Sequence, residues 1–135
     1  MSDAPKVLIA DDEQACIDFV RESLTDLDCD VLGAMDGERA LHVARESKPD
    51  VIILDVQMPK KSGFEVFVDL KADDALAKVP VIMLTAVTAR IGLKFSAKDM
   101  GEYTGAEPEA YIDKPIEPIV LRQTVKRLLK AAASA

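Results

Sequence analysis

The sequence predicts an α/β domain in which five parallel strands form a doubly wound sheet covered by helices. Three apolar runs are too short for helices and rich in β-branched residues, which is typical of strands buried on both faces. They are KVLIA (Lys6 to Ala10), VIILD (Val51 to Asp55) and VPVIMLT (Val79 to Thr85). Segments with helical spacing lie between them. Strands that alternate with helices build a parallel sheet through right-handed crossovers.

Two weaker runs complete the five strands, DVLGA (Asp30 to Ala34) and EAYID (Glu109 to Asp113). The first helix is predicted from an inward apolar stripe and an outward charged face. The inward residues are Cys16, Phe19, Val20, Leu24 and Leu27, and the outward residues are Asp18, Arg21, Glu22 and Asp26.

The remaining helices are predicted from apolar stripes and from their start and stop signals. The second helix spans Gly37 to Ser47, the third runs from Gly63 to about Asp73, and the last begins near Pro118 with Leu121, Val125 and Leu128 on one stripe. Within Ala86 to Pro108 we expect a loop and a fourth helix, since Ser96 to Asp99 resemble a capping box. Residues 131–135 are expected to fray.

Length and charge exclude several classes of protein. A chain of 135 residues is expected to be one domain, with its core at about residues 5–130. A net charge of −7 argues against a nucleic-acid binder. The basic residues Lys126, Arg127 and Lys130 are attributed to the dipole of the last helix. The sequence has neither a signal peptide nor an apolar run long enough for a membrane, so we expect a cytoplasmic protein.

The residues most often found in metal sites and active sites give no motif by themselves. Cys16, Cys29 and His42 lack the spacing of a zinc site. We interpret the cysteines as small buried hydrophobic residues and the histidine as an ordinary residue of the second helix.

Chemically active residues do follow the predicted strands. Ligands of open α/β sheets bind at the carboxyl ends of the strands. The residues at those ends are Asp11, Asp12 and Glu13 after the first strand, Asp55 in the third, Thr85 in the fourth, and Lys114 with Pro115 after the fifth. Two carboxylates about 4 Å apart repel each other by roughly 4 kcal/mol, so positive charge is required. Lys114 and Mg²⁺ would supply it, and the set is suited to phosphoryl transfer.

Four motifs in this order resemble the receiver domains of response regulators of the chemotaxis-regulator type. They are IADDE at Ile9 to Glu13, the Asp55, Met58, Pro59 and Gly63 pattern, LTA at Leu84 to Ala86, and YIDKP at Tyr111 to Pro115. The resemblance extends from Lys6 to about Lys130. It implies a single receiver domain with a flavodoxin-like (βα)5 fold and the strand order 2-1-3-4-5.

The resemblance also implies a role for each site residue. Asp55 would accept a phosphoryl group, Thr85 and Lys114 would contact that group, and Tyr111 would turn inward with Thr85. Mg²⁺ would be held by Asp12 directly, by Asp11 through water, by Asp55 and by the backbone carbonyl of Gln57. The bond between Lys114 and Pro115 is expected to be cis.

The partners implied by the resemblance are a histidine kinase or a phosphotransfer protein as donor, and an output protein on the face of the fourth helix, fifth strand and fifth helix. We expect a stand-alone regulator, without a nucleic-acid or membrane partner, that is a monomer or a phosphorylation-dependent dimer. The segment from Thr85 to Lys114 is longer than is usual in the family, with GAEPEAY stretched before Tyr111. Either a tolerated surface insertion or a modified docking face accounts for this length.

An enzyme is the competing interpretation, namely a Mg²⁺-dependent phosphatase or phosphotransferase with an aspartyl-phosphate intermediate. Such enzymes of the haloacid-dehalogenase type carry a second acid two residues after the nucleophile, where this chain has Gln57. A dinucleotide-binding domain is disfavoured because the first strand is followed by DDE rather than a glycine-rich turn. A docking module that needs no phosphorylation is disfavoured because the acids are present. We therefore expect a phosphoacceptor that assists its own phosphorylation and dephosphorylation, and not a multiple-turnover enzyme.

Overall fold

Five parallel strands form a single sheet in the order β2-β1-β3-β4-β5, as predicted. The computed structural model describes residues 4–58, 60–85 and 108–134, with side chains described up to Ala131. The strands are β1 (Lys6–Ala10), β2 (Asp30–Ala34), β3 (Val51–Asp55), β4 (Val81–Thr85) and β5 (Ala110–Asp113). The expected loop and fourth helix lie outside these residues except for Pro108 at their end, and Pro59 lies outside them too.

Helices cover both faces of the sheet. They are α1 (Gln14–Ser23), α2 (Gly37–Ser47), α3 (Gly63–Ala72) and the C-terminal helix (Pro118–Ser134). One apolar cluster joins α2 and α3 to one face, and a second joins α1 and the C-terminal helix to the other. Every residue of β3 is buried, as expected for the middle strand of a covered parallel sheet. This strand therefore holds Asp55 at the carboxyl edge of the sheet.

Two strands begin later than the sequence predicts. β4 begins at Val81 instead of Val79, because Pro80 has no N–H with which to extend the ladder. β5 begins at Ala110 instead of Glu109, although the Glu109 N–H still donates to the Val81 carbonyl. Neither shift moves the carboxyl ends, where the candidate residues lie.

The predicted inward stripe of α1 is confirmed except at Phe19, since its other members are buried or pack against the core. Ile17, Val20 and Leu24 are buried, whereas Phe19 is 40% exposed. The helix ends at Ser23 and a 3₁₀ turn (Thr25–Leu27) follows it. Ile17 takes the buried position expected of Phe19, and Phe19 instead lines a groove beside Lys114. Cys16 and Cys29 are only partly buried, and their thiols are free.

The C-terminal helix continues through Ser134, with no basic residue in its last turn. The dipole explanation for Lys126, Arg127 and Lys130 is therefore wrong, because the dipole acts within the last turn of a helix. Among the residues that the structure describes, no helix has both the length and the apolar character needed to cross a membrane.

The start of α3 packs directly against the end of β3. Ser62 caps α3 in a reciprocal capping box with Glu65. Gly63 follows the cap, and its N–H donates to the Val56 carbonyl at 2.9 Å. A Cβ atom at Gly63 would overlap the carbonyl oxygen of Asp55. The chain thus requires glycine here for close approach between helix and strand.

We expect Gly63→Ala to destabilise the protein by about 2 kcal/mol, since two backbone segments would have to move apart. Glycine to alanine in a helix normally stabilises, by about 1 kcal/mol, so the predicted sign is the reverse of the usual one. Urea unfolding measures the effect, with Glu38→Ala on the exposed surface of α2 as the control. A stabilised Gly63→Ala protein would contradict the close contact.

Candidate functional site

Three carboxylates converge at the carboxyl edge of the sheet. One carboxylate oxygen from each of Asp11, Asp12 and Asp55 lies within 4.8 Å of the others. Asp11 is fully buried, Asp55 is 8% exposed and Asp12 is exposed. The sequence prediction that these acids meet is consistent with this geometry.

Strand register explains the convergence. β1 and β3 are neighbours, and Ala10 is paired with Leu54, so both chains reach the edge of the sheet at the same level. The Asp11 N–H donates to the Ala34 carbonyl of β2 at 3.0 Å, and the Asp11 carboxylate accepts from the Glu13 N–H at 2.9 Å. These bonds fix the turn from β1 into α1 and hold the Asp11 side chain toward Asp55.

Lys114 supplies positive charge to this cluster. Its Nζ lies 2.9 Å from Oδ2 of Asp11 and 3.6 Å from Oδ1 of Asp55. Burial by itself would lower the pKa of Lys114, but the hydrogen bond to Asp11 and the charges of both acids raise it overall. Lys114 therefore stays protonated at neutral pH. Its bond to Pro115 is cis, as the resemblance implies.

One ammonium group does not balance three carboxylates. Burial and, after it, the charge of Asp11 together raise the pKa of Asp55 from 3.8 to about 6, against smaller lowering effects of Lys114 and the Gln57 backbone. At pH 7 the side chain is still mainly ionised. It is also more basic than an ordinary aspartate, and basicity generally favours nucleophilic attack.

The excess negative charge fits a hard divalent cation. Mg²⁺ prefers oxygen ligands and is commonly held by one or two carboxylates with several waters. Asp12 is exposed and Asp55 is directly beside it, so both can offer oxygens on the solvent side of the cluster. Asp11 is already bonded to Lys114, and Gln57 is an exposed residue two positions after the end of β3. These residues fit the Mg²⁺ ligand set that the resemblance implies.

Thr85 and Tyr111 are placed differently from the acids. Thr85 is 1% exposed at the end of β4, and its hydroxyl donates to Oδ1 of Asp113 at 2.9 Å. Tyr111 is 40% exposed on β5.

His42 lies away from this edge of the sheet. It pairs with Glu46 on the exposed side of α2, at 3.1 Å, as expected of an ordinary helical residue.

Sequence reasoning missed two residues at this edge. Asp113 lies inside the YIDKP motif, but only the pairing of β4 with β5 reveals its bond to Thr85. Cys16 hydrogen-bonds to Asp11, and burial followed by this bond raises the pKa of its thiol to about 12. No spacing in the sequence connects Cys16 with Asp11. A thiol with so high a pKa is a neutral neighbour of the cluster and not a nucleophile.

Comparison with known proteins agrees with the family resemblance that the sequence motifs show. Residues 7–126 match the model of the family described as "Response regulator receiver domain". The chain belongs to this family. Receiver domains of this family are signalling modules of two-component response regulators, and this chain is one of them.

The curated relatives match most of this chain, but the chain covers only part of their own length. The alkaline phosphatase synthesis transcriptional regulatory protein of Bacillus subtilis is 35% identical, over 93% of this chain and 48% of that protein. The DNA-binding dual master transcriptional regulator of Synechocystis is also 35% identical, over 93% of this chain and 49% of that protein. The receiver domain thus spans about half the length of these curated relatives.

A solved structure of similar length is the chemotaxis response regulator CheY4 of Vibrio cholerae. It has 32% sequence identity to this receiver domain and a TM-score of 0.79. The match covers 93% of this chain and 98% of that chain. The likeness confirms the flavodoxin-like fold and the predicted strand order.

Proposed function

We propose that this receiver domain accepts a phosphoryl group on Asp55 from a phosphohistidine of a histidine kinase or phosphotransfer protein. The observation that carries the proposal is the position of Asp55, which lies at the end of a buried strand between two acids and an ammonium group. Its position at the end of a buried strand holds this carboxylate rigidly. With a pKa of about 6 it is mainly ionised at pH 7, yet it is more basic than an ordinary aspartate. These are the properties of a nucleophile for phosphorus.

In the proposed reaction an oxygen of Asp55 forms a bond to phosphorus, and the bond between phosphorus and the donor imidazole nitrogen breaks. The electron pair of that bond leaves with the nitrogen. Lys114 would contact an oxygen of the transferred group, because its Nζ is already 3.6 Å from Asp55. Its Asp11 contact of 2.9 Å orients it for this purpose.

We propose the Mg²⁺ ligands implied by the resemblance, with Asp12, Asp55 and the Gln57 carbonyl binding directly and Asp11 through water. When bound, the cation neutralises charge on the phosphoryl oxygens and on the carboxylates. Whether or not the cation is bound, Asp11 contributes by holding Lys114 in place. The buried strand ends contribute by keeping the acids in place.

The proposed output is a rearrangement at β5 and the C-terminal helix. A phosphoryl group adds negative charge and acceptor oxygens, so it stabilises a conformation that brings donors toward it. Thr85 would donate to it, and the partly exposed Tyr111 would turn inward. The exposed Ile119 and Val120 lie at the start of the C-terminal helix, next along the chain. We propose that an output protein docks on this face.

Intact mass after incubation with a small acyl phosphate tests the phosphoacceptor. We expect the wild type to gain one phosphoryl group with Mg²⁺ and far less without it, and Asp55→Asn to gain none. Asp74→Asn, an exposed acid of the same type, is the matched control and should behave like the wild type. Equal incorporation by Asp55→Asn would disprove the proposal.

The same incubation distinguishes the enzyme interpretation. A phosphoacceptor consumes about one donor per chain and then turns over slowly through its own hydrolysis. Rapid release of many equivalents of inorganic phosphate per chain would instead favour a phosphatase.

A further inference from the structure

The Thr85 hydroxyl is held by a carboxylate that no proposed catalytic role uses. Its Oγ1 lies 2.9 Å from Oδ1 of Asp113. Thr85 and Asp113 are register partners in β4 and β5, and paired residues on neighbouring strands carry their side chains on the same face. The Lys114 N–H also donates to the Thr85 carbonyl, at 2.6 Å. Two bonds therefore tie Thr85 to the strand that carries Asp113.

The direction of this hydrogen bond follows from the chemistry of the two groups. An ionised carboxylate only accepts, so the hydroxyl must donate. A hydroxyl has one proton and can donate it to one acceptor at a time in a strong bond. Donation to Asp113 and donation to a phosphoryl oxygen on Asp55 therefore exclude each other.

We propose that Asp113 is a positioning residue that retains the Thr85 hydroxyl in the unphosphorylated domain and opposes the switch. This inference rests on the proposed phosphorylation of Asp55. No atom is transferred in the exchange, since the proton stays on Thr85 and only its acceptor changes. The balance between the two acceptors sets how readily the domain takes up and keeps its phosphoryl group.

The environment makes this competition significant. Thr85 is 1% exposed, so its hydroxyl has little access to water as an alternative partner. Hydrogen bonds to charged acceptors are about twice as strong as neutral ones. Asp113 also lies directly before Lys114 in the chain, so the released carboxylate remains next to the residue that contacts the phosphoryl group. On phosphorylation the Thr85 hydroxyl thus exchanges one anionic acceptor, the Asp113 carboxylate, for another, the phosphoryl group on Asp55. Both acceptors lie at the same edge of the sheet.

A double-mutant cycle with Asp113→Ala and Thr85→Val tests the proposal. The measurement is the rate of phosphoryl incorporation from a small acyl phosphate with Mg²⁺. We expect Asp113→Ala to accelerate incorporation roughly tenfold when Thr85 is present, as for the loss of one charge-assisted hydrogen bond. In the Thr85→Val background, where no hydroxyl exists, the same change should leave the rate within about twofold.

Two further variants separate the hydrogen bond of Asp113 from general effects of charge and of side-chain shape. Glu117→Gln removes an exposed acid from the same end of the molecule and should not accelerate the reaction. Asp113→Asn keeps the shape of the side chain but not its charge. It should tighten binding of beryllofluoride, a stable mimic of the phosphoryl group, severalfold when Thr85 is present and not when valine replaces it.

Two results would overturn the inference. Equal acceleration in both backgrounds would show that Asp113 acts through its charge alone, and no acceleration in the Thr85 background would show that it holds nothing back. Either result leaves the phosphoacceptor role of Asp55 intact. A wild type that takes up no phosphoryl group would overturn both the proposed function and this inference.

Discussion

Asp55→Asn is expected to stabilise the protein at pH 7 without divalent cations, by about 2–3 kcal/mol. The pKa of Asp55 is raised from 3.8 to about 6, so the folded state holds a proton more tightly than the unfolded chain does. Ionisation therefore costs folding free energy at about 1.4 kcal/mol per pKa unit. Asparagine removes this cost because it carries no charge.

The pH dependence has a definite sign. Below pH 3.8 the carboxyl group is protonated in both states and the cost is absent. It grows as the pH rises from 3.8 and is complete above about 6. The stability difference between Asp55→Asn and the wild type should therefore be near zero at pH 3.5 and largest at pH 7.

Urea unfolding at several pH values measures this difference. The exposed Asp74→Asn variant should differ from the wild type by less than about 0.5 kcal/mol at every pH. Mg²⁺ should reduce the gain of Asp55→Asn, since a cation at the cluster favours the ionised wild type. A variant that is less stable than the wild type at pH 7 would refute the electrostatic account.

Lys114→Met is expected to act in the opposite direction. Removing the ammonium group leaves buried Asp11 without its partner at 2.9 Å and leaves Asp55 without its nearby cation. Breaking a buried ion pair costs about 3–5 kcal/mol, but the Lys114 side chain is 25% exposed, so we expect about 2–3 kcal/mol. Phosphoryl incorporation should fall roughly a hundredfold, as when one donor to a developing charge is lost.

Lys114→Arg is the matched control, since it keeps the charge on a longer side chain. It should retain most of the stability, although the fork of arginine does not reproduce the contacts of an ammonium group. Added Mg²⁺ should recover part of the stability of Lys114→Met, because it restores positive charge to the cluster. If urea midpoints for Lys114→Met and wild type coincide at pH 7, Lys114 does not balance the acids.

The placement of the acids was predictable because a parallel sheet brings all carboxyl strand ends to one edge. Asp11, Asp12 and Asp55 follow or end buried apolar runs, so their convergence needs only the strand assignment and the crossover rule. The exposure of Phe19 in α1 was not predictable in the same way. Residues 16–27 contain apolar residues on more than one side, and packing against the sheet selected Ile17 over Phe19.

The five strands, the helices described on both faces of the sheet and the residues at the acidic edge could all be predicted from the sequence, because short buried runs and strand ends are local patterns. Which side chains share a hydrogen bond at that edge depends instead on how distant segments pack together. Thr85 and Asp113 are 28 residues apart, and their contact depends on the register of β4 against β5. The need for glycine at position 63 likewise arises from its approach to Asp55. Such contacts depend on ångström-scale geometry between distant segments, which no local pattern encodes.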